Sequence, residues 1–307
     1  MADKEFEPKK HGRETYVEYY GNFVIKRPLP KLGDEARQMW LMKQHKTKSV
    51  SDAVRAIGNP TYNIPEMYFV HDGDMQVLEE RAPGEPLTAQ LYRKLSKRQQ
   101  YEVVNSLGQF LVDINESQPI GEIERYRIAG EIKLDRLNNF IENKMSRWFT
   151  DAEVTFMSEI RDAVAQFEYE TCRAWSHCDL NSGNVLYDAD ASKLWIIDFA
   201  EADYKFIYRD IFSPVAVELD ICRRVYDAYT KFHNRERYQM PGVNNGMVRE
   251  IMKYRVIVVL LRRFVKAADD LRMNPTSPKG EQNNLEKVVF MRGIMNDIRA
   301  CQARNSR

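Results

Sequence analysis

Two kinds of hydrophobic pattern follow one another along the chain. In roughly the first eighty residues, short runs of β-branched and aromatic residues predominate. "ETYVEYY" and "NFVIKRPL" read as strands, and Gly21-Asn22 between them is a hairpin signal. "GDEARQMWLMKQHK" reads as a helix started by Gly33 and Asp34, with Ala36, Met39 and Trp40 as its apolar stripe. A shorter helix is expected over Ser51 to Ile57, closed by Gly58-Asn59. "EMYFVHDGDMQVLEE" predicts a second hairpin, turning at Asp72-Gly73-Asp74. "RAPGEPL" then breaks the pattern, because Pro83-Gly84 and Pro86 punctuate strongly. It marks a boundary between two lobes, residues 1–82 and 83–307.

Beyond that boundary the period becomes helical. Val103, Leu107, Phe110, Leu111 and Ile114 recur at helical spacing within "SKRQQYEVVNSLGQFLVDINE". Helices are also expected in "GEIKLDRLNNFIENKMSRWF", "DAEVTFMSEIRDAVAQFEYETCRAW", "VELDICRRVYDAYTKFHN" and "GMVREIMKYRVIVVLLRRFVKAADDLR". "NPTSPKGEQNN", Asn274 to Asn284, reads as a polar loop before one last helix. A single stretch interrupts this region. "HCDLNSGNVLYDADASKLWIIDFAEADY", His177 to Tyr204, carries two short apolar runs joined by the polar turn "DADASK", which predicts a hairpin.

Composition narrows the possibilities. Apolar residues make up 43% of the 307 and charged residues 30%, which suits a soluble globular protein. The formal net charge of +1, with both signs interspersed, gives no electrostatic case for nucleic acid as partner. The run "VIVVLL" is far short of the ~20 apolar residues a bilayer requires. The start, "MADKEFEPKKHG", lacks the apolar region of a signal peptide. Cys172, Cys178, Cys222 and Cys301 show no CxxC spacing, so they are expected to be reduced thiols of a cytoplasmic protein, without zinc.

The chemistry concentrates in the interrupting hairpin. Asn184 stands where its first strand begins and Asp198 where its second ends, so the hairpin brings both to one end, near Asp179. A carboxylate and an amide oxygen at a strand mouth suit a hard cation such as Mg²⁺. A separate aspartate, Asp179, then remains to accept a hydroxyl proton, which is the equipment of phosphoryl transfer. His177 is expected to brace the loop rather than act as a base.

His177-x-Asp179 with Asn184 five residues on, followed by Ile197-Asp198-Phe199, resembles the catalytic and metal-binding loops of the kinase-like phosphotransferases. The text "HCDLNSGNVL … IIDF" is most similar to the aminoglycoside phosphotransferase and choline kinase group, where it usually runs like "HGDLHPGNVL … IIDW". The resemblance implies an α+β, protein-kinase-like, two-lobed fold. A small antiparallel-sheet lobe would bind ATP with Mg²⁺, and a mostly helical lobe would carry catalysis and the acceptor. "FVIKRP" resembles the strand with the phosphate-binding lysine, here Lys26, and "DEARQMW" the helix whose glutamate holds it, here Glu35. "VLEERAPGEPL" is similar to the interlobe hinge, so the Glu80 carbonyl and the Ala82 N–H would face the adenine edge. The implied reaction moves the γ-phosphoryl group to a hydroxyl of a small molecule such as an aminoglycoside, choline, ethanolamine or a sugar. Oligomeric state and acceptor are not legible.

The chain departs from that family's pattern in three places. The phosphate-covering segment "KKHGRET" holds one glycine, which implies a looser grip or recruitment of Lys9, Lys10 or Arg13. Cys178 stands where glycine is common, a change that negative φ would tolerate. Ile114-Asn115 stands where a Leu-His pair is frequent, which is expected to remove a brace of the catalytic loop. Glu201 and Asp203 are weak candidates for the acceptor pocket, and Asp210 is expected to brace the loop. A protein kinase is disfavoured because no A-P-E segment follows Asp198. A nucleotide-binding pseudoenzyme is the other rival, supported by the thin glycine loop.

Overall fold

In the computed structural model the described residues are 9–11, 14–119, 121–207, 209–232, 245–272, 274 and 276–304. The Lys9, Lys10 and Arg13 side chains, the helix end at His233 and Asn234, and the tail beyond Arg304 lie outside the described residues. In chain order the strands are β1 (Lys9–His11), β2 (Thr15–Tyr20), β3 (Phe23–Pro28), β4 (Tyr62–Asn63), β5 (Met67–His71), β6 (Gln76–Glu80), β7 (Glu85–Pro86), β8 (Ile123–Arg127), β9 (Glu168–Ser176), β10 (Val185–Asp188), β11 (Lys193–Ile196) and β12 (Asp203–Phe206). The helices are α1 (Asp34–Ala56), α2 (Ala89–Lys94), α3 (Lys97–Glu116), α4 (Leu134–Asn143), α5 (Asp151–Gln166), α6 (Pro214–Glu218), α7 (Cys222–Phe232), α8 (Asn245–Asp269) and α9 (Pro278–Arg304). The chain forms two compact units, residues 1–122 with 172–238, and residues 123–171 with 239–307.

The first unit opens with an antiparallel sheet in the order β1-β2-β3-β6-β5. Both hairpins read from the sequence are there, with Gly21 at φ 56° in the first turn. One continuous helix, α1, replaces the two expected. Its buried residues include Trp40, Gln44, Thr47, Ser51 and Val54, a stripe at helical spacing that runs through the supposed break. Met39, expected inside, is 56% exposed, and Ala36 is exposed too. The core of this part joins Trp40 and Leu41 to Met67 and Val77.

A second sheet in the same unit runs β4-β11-β10-β7. β10 and β11 are the expected hairpin, with Val185 opposite Ile196 and Tyr187 opposite Leu194. β7 lies at the sheet edge, the position where a strand tolerates Pro86. It can lie there because Gly84 has no side chain: a Cβ would sit 2.5 Å from the Tyr187 carbonyl oxygen, and φ is +98°. α3 starts at Ser96 with a capping box to Gln99 and buries the predicted Val103, Leu107, Phe110, Leu111 and Ile114. Gly108 lets α7 approach closely, since a Cβ there would meet Ala228 Cβ at 2.6 Å.

The second unit is built around an apolar core that includes Phe140, Met157, Leu261, Phe264 and Met291. The expected helix after Gly130 is interrupted, with a 3-10 turn at Met145–Arg147 after α4. The next one stops at Gln166, and β9 follows it where more helix was expected. Tyr169, Thr171 and Cys172 are β-favouring and buried, which overrides a weak helical period. α9 begins at Pro278, inside the supposed polar loop, because proline suits a helix's first turn.

Candidate active site

Every residue of the candidate site belongs to the first unit. β9 delivers the chain to His177, and the backbone then turns tightly enough to require bracing. Asp210, buried at the start of a 3-10 turn, accepts hydrogen bonds from the His177 N–H at 2.6 Å and the Cys178 N–H at 3.3 Å. Arg209 Nη2 donates to the Cys178 carbonyl at 3.3 Å. The His177 ring is fully buried beside Phe199 and Phe110. Its Nε2 lies 3.0 Å from the Ile197 carbonyl, and its Nδ1 accepts from the Asp179 N–H at 3.4 Å. Both ring nitrogens are thereby engaged, with Nε2 as the donor, as a bracing histidine requires.

Two departures from the family pattern turn out differently from the expectation. Cys178 has φ +68°, the left-handed region, so its side chain is held at a cost of about 1–2 kcal/mol. Burial and then the neighbouring Asp210 carboxylate push its thiol up to about 12. Asn115 does not leave the loop unbraced. Its amide donates to the Trp175 carbonyl at 2.7 Å and accepts from the Tyr229 hydroxyl at 3.1 Å. At 2% exposure the Asn115 amide thus supplies one donor and one acceptor, the two roles a neutral imidazole could fill.

The proton-accepting candidate and one cation-ligand candidate touch. Asn184 Nδ2 donates to Asp179 Oδ2 at 2.9 Å and to the Asp179 carbonyl at 2.8 Å. Asn181 Nδ2 donates to Asp179 Oδ1 at 3.1 Å, a contact the spacing of the motif did not suggest. With its NH₂ committed to Asp179, Asn184 keeps its Oδ1 for another partner. The Ile197 N–H donates to the Asn184 carbonyl at 3.0 Å, so the hairpin register carries Asp198 to the same end. Asp198 is exposed, lies at φ +63°, and makes no ion pair or hydrogen bond among the described residues. Among the described residues neither Asn184 Oδ1 nor the Asp198 carboxylate has a hydrogen-bond partner, and one amide and one carboxylate oxygen fit a hard divalent cation that keeps several waters. A strained aspartate at such a point is common in sites whose geometry the surroundings over-determine.

Lys26 lies on β3, 18% exposed, with Nζ 2.6 Å from Glu79 Oε1 on β6. Burial alone would lower its pKa, but the carboxylates of Glu79 and Asp198 outweigh burial and raise it. The structure does not bring Glu35 to Lys26. Glu35 is exposed in the first turn of α1 and makes no ion pair among the described residues. The reason is geometric: the inward stripe of α1 begins at Trp40, and the first turn faces solvent. The other nearby acids are taken, Glu18 by Arg27 and Glu14 by Lys43. Glu79, Thr47, Ser51, Asp198 and Phe199 line one small cavity, which places the lysine's partner beside the hairpin end.

At the hinge the Glu80 N–H is bonded to the Glu66 carbonyl at 2.7 Å and the Arg81 N–H to the Asn22 carbonyl at 2.8 Å. The Ala82 N–H donates to no protein acceptor among the described residues. The weak acceptor-pocket candidates are both paired. Glu201 meets Lys43 at 3.1 Å and Asp203 meets Lys205 at 2.6 Å. Burial works against ionising Asp203, yet Lys205 and the Tyr204 N–H hold it below the ordinary carboxylate range.

A lysine paired with Glu79, an aspartate held by two amides, and two oxygens unpartnered among the described residues are parts suited to phosphoryl transfer. The description of the phosphotransferase enzyme family (APH) matches residues 54–239, more than half of the chain, and the chain belongs to that family. Among curated proteins none matches the sequence. Among solved structures the chain is similar to a GDP and kanamycin complex of the aminoglycoside phosphotransferase APH(2")-IIia, at 13% identity and TM-score 0.63, covering 97% of this chain and 95% of that one. It is similar to a choline/ethanolamine kinase family protein from Mesorhizobium loti, at 13% identity and TM-score 0.58, covering 99% and 92%. It also resembles the amicoumacin kinase hAmiN in complex with AMP-PNP and Ca²⁺, at 11% identity and TM-score 0.51, covering 96% and 89%. At such identities these likenesses speak for the fold alone, which is the protein-kinase-like α+β fold. No described helix is long and apolar enough to cross a membrane.

Proposed function

We propose that this phosphotransferase moves the γ-phosphoryl group of ATP to a hydroxyl of a small molecule. Residues 1–82 would form the nucleotide-binding lobe and 83–307 the catalytic and acceptor-binding lobe. The observation that carries the reading is the hydrogen bond from Asn184 to Asp179, with the Asp198 carboxylate at the same hairpin end. Asp179 orients the acceptor hydroxyl and takes its proton as the bond to phosphorus forms. Its two amide donors fix the direction in which the carboxylate points. Asn184 Oδ1 and the Asp198 carboxylate would hold Mg²⁺, which when bound screens the charge of the triphosphate. Lys26 neutralises phosphate oxygens on the nucleotide, and the backbone at Glu80 and Ala82 receives the adenine edge. Positioning and charge account for most of the rate effect, because the loose transition state needs little covalent help.

A panel of aminoglycosides, choline, ethanolamine and sugars with labelled ATP, read by mass spectrometry, tests the reading. Transfer to one acceptor, abolished by Asp179→Asn while ATP binding persists, supports it. ATP binding with no transfer to any member of a broad alcohol panel argues for a pseudoenzyme instead.

A further inference from the structure

We infer that Glu79 is the positioning residue for Lys26, so that the sheet presets the lysine and helix α1 does not. The inference rests on the reading that Lys26 meets the nucleotide phosphates. In the β3–β6 ladder Lys26 is opposite Val77, and Val24 is opposite Glu79. Lys26 and Glu79 are therefore diagonal neighbours on one face, a separation long side chains bridge easily. Nζ and Oε1 meet at 2.6 Å, with the Glu79 side chain 12% exposed. A charged pair this enclosed holds its geometry far better than a surface pair, which entropy and solvent would loosen.

Helix α1 offers no competing carboxylate. Its inward stripe is Trp40, Gln44, Thr47, Ser51 and Val54, and the two positions that reach the cavity shared with Glu79 are hydroxyls, Thr47 and Ser51. Its acids face elsewhere: Asp34 and Glu35 lie in the exposed first turn, and Asp52 pairs with Lys48 at 2.8 Å. Both members of the Lys26–Glu79 pair thus belong to hydrogen-bonded neighbouring strands. A shift of α1 would leave the lysine in place.

The test uses the full chain and two readouts, the affinity for Mg²⁺–ATP by calorimetry and the pH profile of Lys26 acylation by mass spectrometry. Glu79→Gln should weaken Mg²⁺–ATP binding about tenfold and move Lys26 acylation to lower pH, because the amine loses its anionic partner. Glu79→Asp should recover most of both, and Glu35→Gln should change neither. Retained affinity and an unmoved acylation profile in Glu79→Gln would overturn the inference. So would a loss found in Glu35→Gln instead. Lys26→Ala separates the two levels. Unchanged Mg²⁺–ATP affinity in that variant sinks the phosphate-binding reading itself, whereas a loss there with no effect of Glu79→Gln sinks only the role of Glu79.

Discussion

The two compact units use polar groups and backbone in opposite ways. In the first unit Asp113, Asn115, His177 and Asp210 are buried and hydrogen-bonded. All the described non-glycine residues with positive φ, namely Met75, Cys178, Ser192, Asp198 and Asp220, fall there too. In the second unit the interior is largely aliphatic and aromatic, and a buried ion pair joins Glu131 to Arg255, with the exposed Arg262 at its rim. Strain and buried polarity are expensive. Their concentration in the first unit coincides with the residues of the candidate site.

Substitutions can break that contrast. The largest effect should come from Asp179→Asn, which should cut transfer about 10³-fold, within the usual range for a lost general base, while the melting temperature falls by only about 2–4 °C because one amide donor then faces an NH₂. Activity retained within tenfold would remove the catalytic unit's claim to the name. Next, Glu131→Ala should cost the second unit about 3 kcal/mol, because Arg255 at 2% exposure loses its counter-charge. Denaturant unfolding should register that loss while turnover per folded molecule holds, and a parallel loss of turnover would erase the contrast. Asn115→Ala should cost about 2 kcal/mol by removing the bonds to the buried Trp175 carbonyl and the Tyr229 hydroxyl, and here turnover should fall with stability.

Smaller effects sharpen the picture. Cys178→Gly should stabilise by up to about 1 kcal/mol, since glycine adopts φ +68° without penalty, and thermal melts would register the gain. In the parent chain the Cys178 thiol, at about 12, should alkylate ~10³-fold more slowly at pH 8 than an ordinary exposed thiol, read by peptide mapping.

What could be read from sequence followed the range of the interaction. Asp179, Asn184 and Asp198 were legible because a twenty-residue segment with a local turn brings them together. The hairpins at Gly21-Asn22 and Asp72–Asp74 were legible for the same reason. The partner of Lys26 was not, because it depends on the register between β3 and β6, about fifty residues apart. A signal existed: alternation in "QVLEE" puts Glu79 on the same face as buried Val77, an unusual place for an acid. β9 was hard to read because the residues after Gln166 continue a weak helical period, against which the β-favouring Tyr169, Thr171 and Cys172 and the pairing with β12 and β8 decide. The brace from Asn115 was not legible because its partners, Trp175 and Tyr229, lie 60 and 114 residues further along the chain.

Gly84 sets a mechanical limit on this enzyme. Its backbone rests against Tyr187, β7 is laced to β10, and the Leu87 N–H is bonded to the Val185 carbonyl at 2.8 Å. The connector is therefore fastened to the β10–β11 hairpin from residue 84 onward. On its other side the Arg81 N–H is bonded to the Asn22 carbonyl at 2.8 Å, so among the described residues Ala82 and Pro83 alone link the two sheets without a backbone bond to either.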